Sequence, residues 1–105
     1  MPVTSKALAR TAASTTANTV LYTQPNTTTT TIITNIVVTN TTTSATTFSM
    51  AIDSVSIATS VALPANDSLY IDMKQVIPAS NPAKTIVGSA GTNAVNFHIS
   101  GVEIS

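Results

Sequence analysis

His98 is the single imidazole among 105 residues, and it stands in the run Val95-Asn96-Phe97-His98-Ile99-Ser100. A hydrolase would need a nucleophile with a base beside it, or two carboxylates that divide acid and base roles. The carboxylates are Asp53, Asp67, Asp72 and Glu103. Asp53 and Asp67 fall in turn sequences, where such groups bond nearby backbone amides. Asp72 reads with Lys74 as a surface ion pair of small value. Nothing has the ligand spacing of a zinc or EF-hand calcium site, and the three glycines make no phosphate loop. The expectation is therefore a non-enzyme with no catalytic, cofactor or metal residues. His98, between Asn96 and Ser100 on a polar strand face, reads as a solvated or partner-contact residue.

Two further features invite a binding role. Tyr22 and Tyr70 lie opposite more apolar alternations and could stack sugars, although covering the ends of a core or a subunit contact suits them better. Asn26, Asn40 and Asn66 each open an N-x-S/T triplet in an expected loop. A chain this rich in Asn and Thr makes such triplets by chance, and that reading is preferred.

Composition points the same way. Charged residues make up 8% of the chain, four basic and four acidic, so the formal net charge is zero. That is about a third of the usual share. Threonine fills 21 of the 105 positions, and its branched side chain favours the pleated backbone. Without a basic field, neither nucleic acid nor an anionic membrane is an expected partner. No cysteine is present, so disulfides cannot brace a small core. Low surface charge and modest size favour self-association. No stretch reaches the roughly 18 apolar residues of a membrane span. No apolar run follows Lys6 and Arg10, so no secretory signal is expected, and the chain is expected to be made in a cytoplasm and to leave it by lysis or assembly and not by general secretion.

The elements that hold these residues read as short strands. Residues 1–18 form an expected N-terminal arm, with about two helical turns over Thr4–Ala13 and a polar connector behind. Leu8 would anchor that arm on a neighbour, with Lys6 and Arg10 as surface contacts. Residues 19–105 form the domain. Thr19–Thr23 is a strand with Val20 and Tyr22 on one face, ended by Gln24-Pro25. Thr31–Asn40 carries apolar residues on both faces, with Ile32, Thr34, Ile36 and Val38 opposite Ile33, Asn35, Val37 and Thr39, and so reads as central or covered on both sides. Ala45–Ile52 points Phe48, Met50 and Ile52 inward. Asp53-Ser54 is a tight turn, and Val55 to Leu63 gives one or two strands. Ser68–Met73 sets Leu69, Ile71 and Met73 against Tyr70 and Asp72. A helical turn is expected around Lys74-Gln75-Val76-Ile77, then strands over 85–90 and 94–104, with Gly101 marking a bulge or bend. Seven to eight strands at this spacing predict an all-β antiparallel sandwich, immunoglobulin-like or jelly-roll-like.

The order of segments is similar to that of a known group. Val20-Leu21-Tyr22-Thr23-Gln24-Pro25, Ile33 to Asn40, Val61-Ala62-Leu63-Pro64-Ala65-Asn66-Asp67 and Asn96 to Ile104 together resemble small structural proteins of tailed bacteriophage virions. The resemblance covers about residues 19–104. It implies a β-sandwich virion component assembled in a host cytoplasm, and within that class a capsid decoration (cement) protein that binds between major capsid subunits as a trimer or dimer. A neck, tail or fibre component is the alternative, and a carbohydrate-binding or adhesion module the alternative of another class. Partner contacts are expected at Lys6, Leu8, Arg10, Tyr70 and His98.

Overall fold

The computed structural model describes residues 3–16, 18–72 and 74–104. Nine strands follow one another: β1 (Val3–Ala12), β2 (Thr19–Thr23), β3 (Thr30–Asn40), β4 (Thr46–Ile52), β5 (Val55–Leu63), β6 (Ser68–Ile71), β7 (Gln75–Ile77), β8 (Thr85–Ala90) and β9 (Val95–Ile104). They form two antiparallel sheets. One runs β1-β9-β3-β6, with β7 also on β3; the other runs β2-β8-β4-β5. Because β6 and β7 share the same flank of β3, they act as two halves of one edge strand. The chain then alternates between sheets in the order of a jelly roll, with first and last strands paired. The all-β sandwich is thus present, and of the two expected topologies the jelly roll is the one found.

The core lies between the sheets. Ile33, Ile36, Val38, Phe97 and Ile99 from one meet Phe48, Met50 and Ile86 from the other. Phe48 and Phe97 cross the gap edge to face, with centroids 6.3 Å apart. Asp53 and Ser54, with φ of 53° and 62°, make the two-residue hairpin turn between β4 and β5, whose twist matches the flanking strands. Leu69 and Ile71 pair with buried Val38 and Ile36, which leaves Tyr70 facing out. Met73, expected to point inward with them, lies outside the described residues.

Several expectations are corrected, most of them by one device. Val3–Ala12 is not a helical arm but the edge strand β1, hydrogen-bonded along β9. Its register shifts between Ala7 and Ala9, so Leu8 and Ala9 both turn inward and both are buried. A bulge places two residues opposite one and so flips the alternation beyond it. The same happens in β2 between Val20 and Tyr22: Val20 stays exposed while Tyr22 is buried. In β3 the shift lies between Ile33 and Asn35. Ile33 is therefore inward before it and Ile36 and Val38 after it, on one inner face instead of two covered ones. Gly101 sits opposite this region without being bulged itself, and β9 runs unbroken through it. Residues 75–77, expected as a helical turn, pair with β3 as β7.

The sheet edges are blunted, as edges exposed to other chains generally are. β1 turns Lys6 toward the interior side, in register with inward Gly101. β6 and β7 are short and interrupted. β2 has five residues and a bulge. β5 has two register shifts and Ser60 at φ 48°. None of the four offers a long regular ladder to an incoming strand.

Candidate protein-contact surface

Residues paired in register point to the same side of a sheet, so the ladders define what each outer face presents. On the outer face of the five-stranded sheet, Arg10 pairs with His98, His98 with Val37, and Val37 with Tyr70. These four form one row straight across the sheet. A second row runs Ser5, Val102, Ile32 and Val76, and beyond it Val3, Ile104 and Thr30 form a third. Tyr70, Val3 and Val76 are 73%, 64% and 58% exposed, far more than large apolar groups average. Arg10 is the only formal charge in these paired rows; Asp72, two residues after Tyr70, and Lys74, two before Val76, stand exposed at the β6/β7 edge.

Three of the five expected contact residues, Arg10, His98 and Tyr70, therefore come together on one face. The other two are used by the fold itself. Leu8 is buried against Gly101, where a Cβ would stand 2.8 Å from its Cδ1, so it anchors β1 in the chain's own core and not on a neighbour. Lys6 Nζ lies 3.3 Å from Glu103. His98 has Arg10 and Val37 as cross-strand neighbours, with Asn96 and Ser100 beside it along the strand, and no carboxylate in its row.

The outer face of the four-stranded sheet differs in kind. Val20, Val87, Ala51 and Ser56 form its clearest row. Small residues, Ser49, Ala51, Ala58, Gly88 and Ser89 among them, line a shallow half-open depression there of about 160 Å³. The strands of this sheet contain no charged residue at all.

Tyr22 is not part of any surface platform. Its hydroxyl donates to Glu103 and shares a 2.9 Å hydrogen bond with Thr31 inside the sandwich. Burial pushes its pKa up to about 12, with the hydrogen bond to Glu103 adding to the rise. Tyr22 and Tyr70 thus belong to different sheets, one inside and one outside, and the paired sugar-stacking arrangement does not form. Since the folded pKa exceeds the ordinary value of 10.0, stability tied to neutral Tyr22 is complete below pH 10 and is lost as pH rises through about 12. In a Tyr70→Phe background the ultraviolet phenolate titration should have its midpoint near 12, with unfolding alongside; a midpoint near 10 would contradict the buried network. The Tyr22→Phe variant should lose less stability across that window.

Two buried amides were invisible as structural residues in the sequence. Gln24 donates from Nε2 to the carbonyls of Thr29, Ile77 and Pro78, and its Oε1 accepts from the Lys84 amide. Asn40 does the same for another set of loops, donating to Ser44, Leu63 and Pro64 and accepting from Thr42. Asn40 is wholly buried, so its N-x-T triplet is sealed against modification. The Asn26 carboxamide oxygen accepts from Thr28 and Thr29, and Asn26 and Asn66 are both exposed. The ion pairs among the described residues are Lys6–Glu103 and Lys84–Asp53; Asp72 with Lys74 is not one of them.

Comparison with protein-family models, with curated proteins and with solved structures finds no match to this chain. Among the described residues no helix is long and apolar enough to cross a membrane, and no three His, Cys, Asp or Glu side chains gather as a metal site.

Proposed function

We propose that this chain is a structural protein of a tailed bacteriophage virion, a decoration (cement) protein that sits between major capsid subunits and stabilises the shell. One observation carries the reading: both broad faces of the sandwich are poor in charge, with Arg10 the one charge in the paired outward rows and Asp72 and Lys74 confined to the β6/β7 edge. A freely dispersed domain keeps charge on its faces to resist association. Faces of Val, Thr, Ser and Tyr suit burial against other proteins, where the centre of a contact is depleted of charge and enriched in aromatic anchors. The jelly roll supports the reading by analogy, since viral shells and lectins both use it. Loss of the Tyr22 platform weakens the lectin side of that analogy.

Attachment to particles is the test. Purified chain added to virions that lack it should bind to saturation at a fixed ratio to the capsid protein. The decorated shells should also survive heating that opens bare ones. Binding confined to the neck or tail would move the protein to those structures, and no binding to any particle component would overturn the virion role.

A further inference from the structure

We propose that the outer face of the five-stranded sheet is covered by a second copy of this chain, in a dimer whose two-fold axis runs parallel to the strands between β9 and β3. The proposal rests on the reading of the chain as an assembly subunit and names the occupant of one of its faces. The blunted edges described above rule against growth by strand addition, so association falls to the faces.

The rows make this face self-complementary. The stated rotation exchanges β1 with the β6/β7 edge and β9 with β3, and leaves position along the strands unchanged. In an isologous contact each pairing then occurs twice. Arg10 of one copy comes over Tyr70 of the other, a guanidinium on an exposed ring, which is an attractive arrangement for these two groups. Val102 meets Ile32, and His98 meets Val37. Exposed Val76 meets small Ser5, so bulk faces space there, and Ala12 meets Ser68, two small residues that let the sheets approach. Arg10 is the only charge in the paired rows, and it lands on a π face at the edge that carries Asp72 two residues beyond Tyr70.

The dimensions fit as well. Four strand widths by about nine residues give roughly 600 Å² in projection before side-chain relief is added, close to the ~800 Å² per partner of a stable contact. Two sheets packed this way align within about 30° and stay ~10 Å apart, as in any sandwich. The same operation on the four-stranded sheet brings Val20 onto Ser56 and Val87 onto Ala51. It supplies no aromatic or charged pair and leaves the depression around Gly88 unfilled. That second face is left for other partners.

The experiment is the solution mass of the full chain by sedimentation, with circular dichroism to confirm that each variant keeps its strands. Wild type should have twice the 10.7 kDa chain mass. Arg10→Glu and Tyr70→Arg, each alone, should raise the dissociation constant about tenfold or more. Mixed one to one they should recover a dimer. Each heterodimer then sets the carboxylate introduced by Arg10→Glu against the guanidinium introduced by Tyr70→Arg, and keeps one native Arg10–Tyr70 contact. Val76→Glu, at an exposed site that the fold does not need, should give monomers. A wild-type monomer at about 100 μM, a trimer, or a dimer indifferent to these variants would overturn the proposal. So would a mixture that fails to recover. These readings use no particle, so the dimer and the virion role fail separately.

Discussion

Asn40→Ala should destabilise the domain by about 3 to 5 kcal/mol, because it strands several buried polar groups at once. The Asn40 side chain is wholly buried and reaches five partners, the carbonyls of Ser44, Leu63 and Pro64 and the amide and hydroxyl of Thr42. It ties the end of β3 to the β3–β4 loop and to the end of β5, and so holds the two sheets together where no strand pairing does. Removing it leaves carbonyls without a donor and opens a cavity. In a domain of this size each kcal/mol is worth about 4 to 8 °C in melting temperature, so thermal unfolding reads the effect easily. Asn40→Asp sharpens the test. Asp would offer a carboxylate oxygen to three carbonyls that need a donor, so it should cost at least as much as Ala. A loss below about 1 kcal/mol for either variant, the size of one exposed hydrogen bond, would contradict this role.

Gly101→Ala should cost about 3 kcal/mol, near the upper end for overpacking. A Cβ there would run into the backbone carbonyl oxygen of Ile32 and stand 2.8 Å from Leu8 Cδ1. Leu8 can move; the Ile32 carbonyl cannot, because it belongs to the ladder between β3 and β9. The double variant Leu8→Ala/Gly101→Ala separates the two contacts. Relief of the Leu8 clash should make the pair cost less than the sum of the singles, while a residual loss from the Ile32 contact persists. Full additivity in urea unfolding would mean that Leu8 does not occupy the space over Gly101. A neutral Gly101→Ala would mean that β9 passes β3 at an ordinary distance.

Uninterrupted alternation is visible in the sequence, and a bulge is not. Phe48, Met50 and Ile52 alternate without interruption, as do Val95, Phe97 and Ile99, and their inward faces were legible from period two alone. The turn at Asp53-Ser54 was legible from its residue types. Leu8, Tyr22 and Ile33 were not, since each lies next to a bulge, and one extra residue reverses every side chain beyond it. The only signal is indirect. Apolar residues on both faces of β3, and adjacent Leu21-Tyr22 and Leu8-Ala9, fit a register shift as well as a doubly covered strand. β1 read as an arm because Ala, Lys and Arg favour helix in isolation, whereas pairing with β9 and burial of Leu8 outweigh that small preference.

The contact surface was legible in its members but not in its geometry. Arg10, Tyr70 and His98 each stood out as polar or aromatic residues on strand faces. That they share one row through Val37 depends on the registers of β1, β9, β3 and β6, which distant segments settle together. Val76 was missed because its strand has three residues and follows a proline-free stretch that also suits a helical turn. Gln24 and Asn40 were missed because an amide beside a proline or in a threonine loop reads as turn chemistry. Its burial follows only once two other loops close over it.

The proposed role requires these charge-poor faces to be covered by protein, and a reconstruction of virions incubated with this chain tests that directly. It should place the sandwich among major capsid subunits with Tyr70 buried against Arg10, and Val76 against Ser5, of an adjoining copy. Density showing an isolated copy with the Arg10–His98–Val37–Tyr70 row open to solvent, or particles that never contain the chain, would contradict it.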